Sequence, residues 1–230
     1  MSGTKRGGSV AGLLLAAGAG RRLGATKALV ELGGVPLAER GLGTLRAGGC
    51  SPVIVVLGSA AGEVQRACTL GDAVVVVNDA WSQGMGGSVR AGLAEARSCG
   101  APAVLVLPVD QPIVTPILVA RLIGIWRDGA SAAVATYSGN MSTPVVLDRS
   151  LWPDVELHAV GDVGARAFLR SNPGVVAPVP CDDVGDPSDI DTVEDLRRLE
   201  GQVGTPAPRG SSSRAESLSD GITSDIEMRN

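Results

Sequence analysis

Residues 10–27, VAGLLLAAGAGRRLGATK, constrain this chain more than any other stretch. The apolar run from Val10 to Ala16 has the length and flanks of a buried strand. It gives way at once to Gly18, Gly20 and Gly24, interleaved with Arg21, Arg22 and Lys27. A strand that ends in glycines leaves backbone N–H groups free to face an anion, and neighbouring cations neutralise what those amides hold. The chain has only two lysines, Lys5 and Lys27, and its remaining cationic side chains are arginines. A plain strand–turn–helix explains the glycines but gives Lys27 no task. A point charge on a flexible stem can follow a phosphate as charge develops, which a planar guanidinium does less well. The stretch therefore predicts a strand followed by a cradle for a polyphosphate.

Two common phosphate loops do not fit. The P-loop requires Gly-Lys-Ser/Thr, whereas Lys27 stands three residues after Gly24 and is followed by Ala28. The dinucleotide loop requires Gly-x-Gly-x-x-Gly, which Gly18, Gly20 and Gly24 miss by one residue. The next strand, Val53–Leu57, also runs into Gly58 and Ser59 instead of an acid for a ribose. Lys5 and Arg6 ahead of an apolar run could open a signal peptide, but Arg21, Arg22 and Lys27 follow too soon.

The rest of the chain alternates strand-like and helix-like runs. Strands are expected at 53–57, 74–77, 103–107, 132–137, 144–147 and 175–179, and helices at 36–47, 61–68, 88–98, 115–128, 162–169 and 192–199. Alternation of this kind predicts an α/β fold, a mostly parallel sheet covered on both faces, with ligands at the carboxyl ends of the strands. The polar punctuation falls there: residues 18–27 after the first strand, 78–88 after the third and Asp110 after the fourth. Residues 1–9 are short and polar and read as a flexible N-terminus. Residues 10–200 read as one domain, and 201–230, rich in Gly, Pro and Ser, as a disordered tail.

Net charge is −4, so nucleic acid is not an expected partner, and no apolar run is long enough to span a membrane. Cys50, Cys68, Cys99 and Cys181 lack paired metal-ligand spacing and read as reduced thiols, which implies a cytoplasmic protein. His158, the only histidine, lies outside every motif, so a Ser/His/Asp triad has no support.

Asp110 closes an apolar strand between Pro108 and Pro112, where a carboxylate can hold Mg²⁺ against phosphate oxygens or simply start a turn. Thr192 and Asp195 have the spacing of a capping box, which leaves Asp189 and Asp191 just ahead of it without a task. In NDAWSQGMGGS, residues 78–88, Gly84 and Gly86 free backbone groups that can read a base, and Ser88 lies at a helix start; Asn78 opens the loop.

Leu15, Ala16, Ala17, Gly18, Gly20, Arg22, Gly24 and Lys27 fit the nucleotidyltransferase loop Leu-Ala-Ala-Gly-x-Gly-x-Arg-x-Gly-x-x-Lys. With residues 78–88, Asp110-Gln111-Pro112, residues 161–166 and Asp189-Ile190-Asp191-Thr192, the chain resembles the molybdenum cofactor cytidylyltransferases of the MobA/MocA-like group from about residue 11 to 199. The resemblance implies a Rossmann-like three-layer sandwich of the nucleotide-diphospho-sugar transferase type. It implies CMP transfer from CTP to molybdopterin with release of pyrophosphate. Arg22, Lys27 and Asp110 would be catalytic, and Asp110 and Asp191 would hold Mg²⁺, or Mn²⁺ in its place. The nucleotide would lie against Leu15, Ala16, Ala17, Gly18, Gly20, Arg22, Lys27, Asn78, Gly84, Gly86, Ser88 and Asp110, and Arg166 would bind the acceptor. A molybdoenzyme or its chaperone would be a further partner. Leu-Ala-Ala-Gly, as against Leu-Ala-Gly-Gly, implies CTP over GTP. One segment departs: the family's basic residue and Gly-His-Pro are replaced by Gly139-Asn140-Met141-Ser142-Thr143-Pro144. Two alternatives are a guanylyl- or cytidylyltransferase for another phosphorylated acceptor, and a catalytically silent nucleotide-binding protein.

Overall fold

The computed structural model describes residues 5–161 and 164–202. In chain order the strands are β1 (Ala11–Ala16), β2 (Glu31–Leu32), β3 (Val35–Pro36), β4 (Val53–Leu57), β5 (Val74–Val77), β6 (Ala103–Pro108), β7 (Ala132–Tyr137), β8 (Asn140–Asp148) and β9 (Val176–Pro180). The helices are α1 (Leu37–Ala47), α2 (Ala61–Ala67), α3 (Met85–Ser98), α4 (Pro116–Arg127), α5 (Trp152–His158), α6 (Ala165–Ser171) and α7 (Val193–Glu200). Seven strands form one sheet in the order β5-β4-β1-β6-β8-β7-β9. All neighbours pair in parallel except β8, which is antiparallel to both β6 and β7.

Side chains alternate across β1: Leu14 and Ala16 join one apolar layer, while Ala11, Leu13 and Leu15 join the other. The first layer takes Leu42 and Leu45 of α1, Val64 of α2, Leu122 and Trp126 of α4 and Leu199 of α7. The second takes Val89 and Leu93 of α3, Trp152 and Val155 of α5 and Phe168 of α6. The result is the expected Rossmann-like α/β sandwich of three layers, with β1 and β6 at the centre of the sheet.

Three departures have local causes. A strand was expected at 144–147, but β8 starts earlier, at Asn140, because Ser138 and Gly139 both take positive φ (49° and 78°). Two such residues make a tight hairpin turn, and a hairpin forces β8 antiparallel. Helix α5 was not expected; it is one short piece that buries only Trp152 and Val155. Within the segment expected to be flexible, Arg6 is anchored: its guanidinium donates to Asp148 at 2.8 Å and to the Ala130 carbonyl at 2.7 Å. The expected tail lies outside the described residues except for Gly201 and Gln202, as do Asp162 and Val163. Among the described residues no helix is long and apolar enough to cross a membrane.

Candidate active site

The site forms at the carboxyl ends of β1 and β6. Beyond β1 the chain turns tightly, with Leu23 N–H and Gly24 N–H both donating to the Gly20 carbonyl at 2.9 Å. Gly20 sits at φ +59°, and a Cβ there would fall 2.1 Å from the Ala25 carbonyl oxygen, so only glycine closes this turn. The turn delivers Lys27 back over the strand ends. Its ammonium donates to Asp110 Oδ2 and to Asp191 Oδ1, each at 2.6 Å. Arg22 donates to the other Asp191 oxygen, Oδ2, at 2.7 Å.

Asp191 reaches this point through its neighbour. Ile190 is fully buried, and its N–H donates to the Asp110 carbonyl at 2.9 Å. In extended chain, burying Ile190 sends Asp189 and Asp191 the other way, toward the site. Thr192 then caps α7 with Asp195 in the expected capping box.

Burial would lower the Lys27 pKa, but Asp110 and Asp191 overcome it and raise the value above 10.5. The hydrogen bond from Lys27 holds the Asp191 carboxyl below its ordinary value, with burial opposing and Arg22 assisting. Desolvation raises Asp189, and the charges of Asp110 and Asp191 add to it against a hydrogen bond from Gln111.

Two cavities meet here. The smaller, about 310 Å³, is lined by Ala17, Gly18, Ala19, Arg21, Lys27, Trp81, Gly84 and Ser88. The larger, about 450 Å³, is walled by apolar side chains such as Val106, Val134 and Val145, with Thr143, Asp189, Arg166 and Arg170 among its polar members. Leu15, Met85 and Asp110 line both, so the Lys27–Asp110 pair sits at the junction.

Most of the expected residues converge here. Leu15, Ala17, Gly18, Gly84 and Ser88 line the smaller cavity, and Arg166 lines the larger. Asn78 donates to Ser88 Oγ at 3.0 Å and accepts from Ala80 N–H, so it braces the loop from behind. Two residues face elsewhere. Ala16 packs in the core layer opposite the cavities. Gly86 is pressed against the α5–α6 connection: its N–H donates to the Gly161 carbonyl at 2.8 Å, and a Cβ would fall 2.3 Å from the Ala159 oxygen.

Sequence reasoning passed over Trp81, Thr143 and the role of Gln111. Trp81 packs on Gly58: a Cβ there would lie 2.5 Å from Trp81 Cβ and 2.9 Å from Ala17 Cβ. In a chain with three tryptophans, one inside a Gly-rich loop was the available signal.

Asp110 and Asp191 already converge on one cation, the Lys27 ammonium, and offer only oxygens. That donor set fits a hard divalent ion. Among the described residues no group of three or more His, Cys, Asp or Glu could hold a metal by itself, so phosphate and water would complete the shell, as they do around Mg²⁺. Charge points the same way. The charges of Lys27 and Arg22 are already engaged by Asp110 and Asp191, so a divalent ion that took over those carboxylates would leave both cations to a triphosphate.

Residues 12–176 match the family model of the MobA-like NTP transferase domain. The chain is 41% identical over 197 residues to a nicotine blue oxidoreductase of Paenarthrobacter nicotinovorans, covering 83% of this chain and 96% of that protein. It is 34% identical to a molybdenum cofactor guanylyltransferase of Rhodobacter capsulatus, covering 86% and 99%. Among solved structures, the Mycobacterium tuberculosis protein Rv0371C in complex with manganese superposes with a TM-score of 0.73 at 27% identity, covering 85% of this chain and all of that one.

Proposed function

The chain belongs to the MobA-like NTP transferase family, and from that premise we propose that it transfers CMP from CTP to the phosphate of molybdopterin and releases pyrophosphate. The observation that carries this reading is the Lys27 ammonium, bonded to Asp110 and Asp191 where two cavities meet. One cavity abuts the glycine turn and suits a nucleotide. The other has apolar walls and suits a flat ring, with Arg166 placed for an acceptor phosphate.

In this reading an oxygen of the acceptor phosphate attacks the α-phosphorus of CTP, and the bond to the bridging oxygen of pyrophosphate breaks. A phosphate monoester is already nucleophilic, so the chain needs no strong base. Its residues bind, orient and neutralise. Mg²⁺ or Mn²⁺, held by Asp110 and Asp191, would supply positive charge against the phosphate oxygens. Lys27 and Arg22, which share those carboxylates, are then available to phosphate. The product would pass to a molybdoenzyme or its chaperone.

The choice of cytosine over guanine in this reading rests on Ala17, which lines the smaller cavity with Trp81. A glycine in place of Ala17 would widen that cavity for a purine. The test is pyrophosphate release with CTP, GTP, ATP and UTP, each with and without molybdopterin. Release dependent on both CTP and molybdopterin is expected; no release with any nucleotide contradicts the reading.

A second reading rests on the 41% relative named as an oxidoreductase. Here the smaller cavity would take the nucleotide half of a reduced nicotinamide dinucleotide, and its hydride would pass to a flat ring in the larger one. Loss of nicotinamide absorbance with a heteroaromatic oxidant, and no pyrophosphate release, would select it.

A further inference from the structure

The larger cavity has one polar corner whose hydrogen bonds fix what it can recognise. Gln111 is only 5% exposed, and its side chain reaches two partners. Its Nε2 donates to Asp189 Oδ1 at 2.9 Å and lies 3.5 Å from the Pro187 carbonyl, a group that can only accept. The amide is therefore oriented with Oε1 toward Thr143, whose hydroxyl donates to it at 2.6 Å. The Thr143 proton is thus committed to Gln111. What Thr143 and Asp189 turn to the cavity that both line is lone pairs.

We propose that Thr143 and Asp189 are specificity-determining residues that read a hydrogen-bond donor edge, an amino group on a flat heteroaromatic ring, with Gln111 as the positioning residue that keeps both as acceptors. Val106, Val134 and Val145, register neighbours on one face of the sheet, give the ring an apolar floor to lie on. A ring with a carbonyl in place of the amino group would set oxygen against oxygen and leave buried acceptors unpaired. This inference rests on the larger cavity being the acceptor site proposed above.

The test is fluorescence titration of the full chain with two probes, pterin and lumazine, which carry an amino group and a carbonyl at the same ring position. The wild type is expected to bind pterin at least about tenfold more tightly than lumazine. Thr143→Val should bring the two within about threefold, and Thr143→Ser should restore the preference. Gln111→Leu frees the Thr143 hydroxyl to donate, so lumazine binding should strengthen, an effect that loss of packing would not produce. Equal binding of both probes by the wild type, or an undiminished preference in folded Thr143→Val, overturns the proposal. Pyrophosphate release from CTP is measured beside it. Release without ring preference overturns the edge reading alone, and ring preference without release from any nucleotide overturns the transferase reading alone.

Discussion

Lys27 joins two carboxylates that lie 83 and 164 residues away in sequence. Lys27→Ala should lower turnover by about two to four powers of ten, because it removes charge stabilisation at the reacting phosphates. It also leaves Asp110 without its cation and Asp191 with the exposed Arg22 alone, so the melting temperature should fall at neutral pH. The sign with pH follows from Asp191, whose folded-state pKa lies below its ordinary 3.8. Stabilisation from a depressed carboxyl is present above 3.8 and is lost as pH falls through the folded value. The difference in melting temperature between wild type and Lys27→Ala should therefore shrink on acidification through that window. A difference that grows there would contradict the pairing. Asp110→Asn should abolish turnover while the protein stays folded, as read by circular dichroism beside the pyrophosphate assay.

At the scale of elements, α3 is seated by Gly86 and α7 by Thr192. Gly86→Ala would push a methyl into the Ala159 carbonyl, which is backbone and cannot swing aside. Overpacking of this kind costs about 1–3 kcal/mol, against about 1 kcal/mol gained in helix propensity. A lower melting temperature is expected, and one unchanged or raised would mean that the α5–α6 connection yields freely. The sequence made the parallel part of the sheet readable because β1, β4, β5 and β6 are apolar runs separated by helical patterns. The Lys27 loop was readable from its spacing, and the α7 cap from Thr192 and Asp195. Short elements were not: β2 and β3 are two residues each, and α5 buries a single pair of side chains. The Gln111–Thr143–Asp189 corner was hidden for a different reason. It depends on which face each strand end presents, and one-dimensional spacing does not carry that.

For the whole molecule, both apolar layers are built, among the described residues, from residues 10–199. We therefore propose that deleting residues 201–230 leaves melting temperature and turnover little changed; calorimetry and the pyrophosphate assay on the shortened chain check this, and a large drop in either would contradict it. Because Asp110 and Asp191 hold the cations that would otherwise meet phosphate, turnover should vanish with EDTA and return with Mg²⁺ or Mn²⁺. The central claim, that the two cavities serve a nucleotide and a molybdopterin acceptor joined at Lys27, is tested most directly by pyrophosphate release under competing nucleotides. Release is expected to require molybdopterin and to prefer CTP over GTP by at least about tenfold in kcat/KM, on the order of 1.4 kcal/mol. Equal use of CTP and GTP would contradict the cytidylyl assignment, and no release from any nucleotide would contradict nucleotidyl transfer at this site.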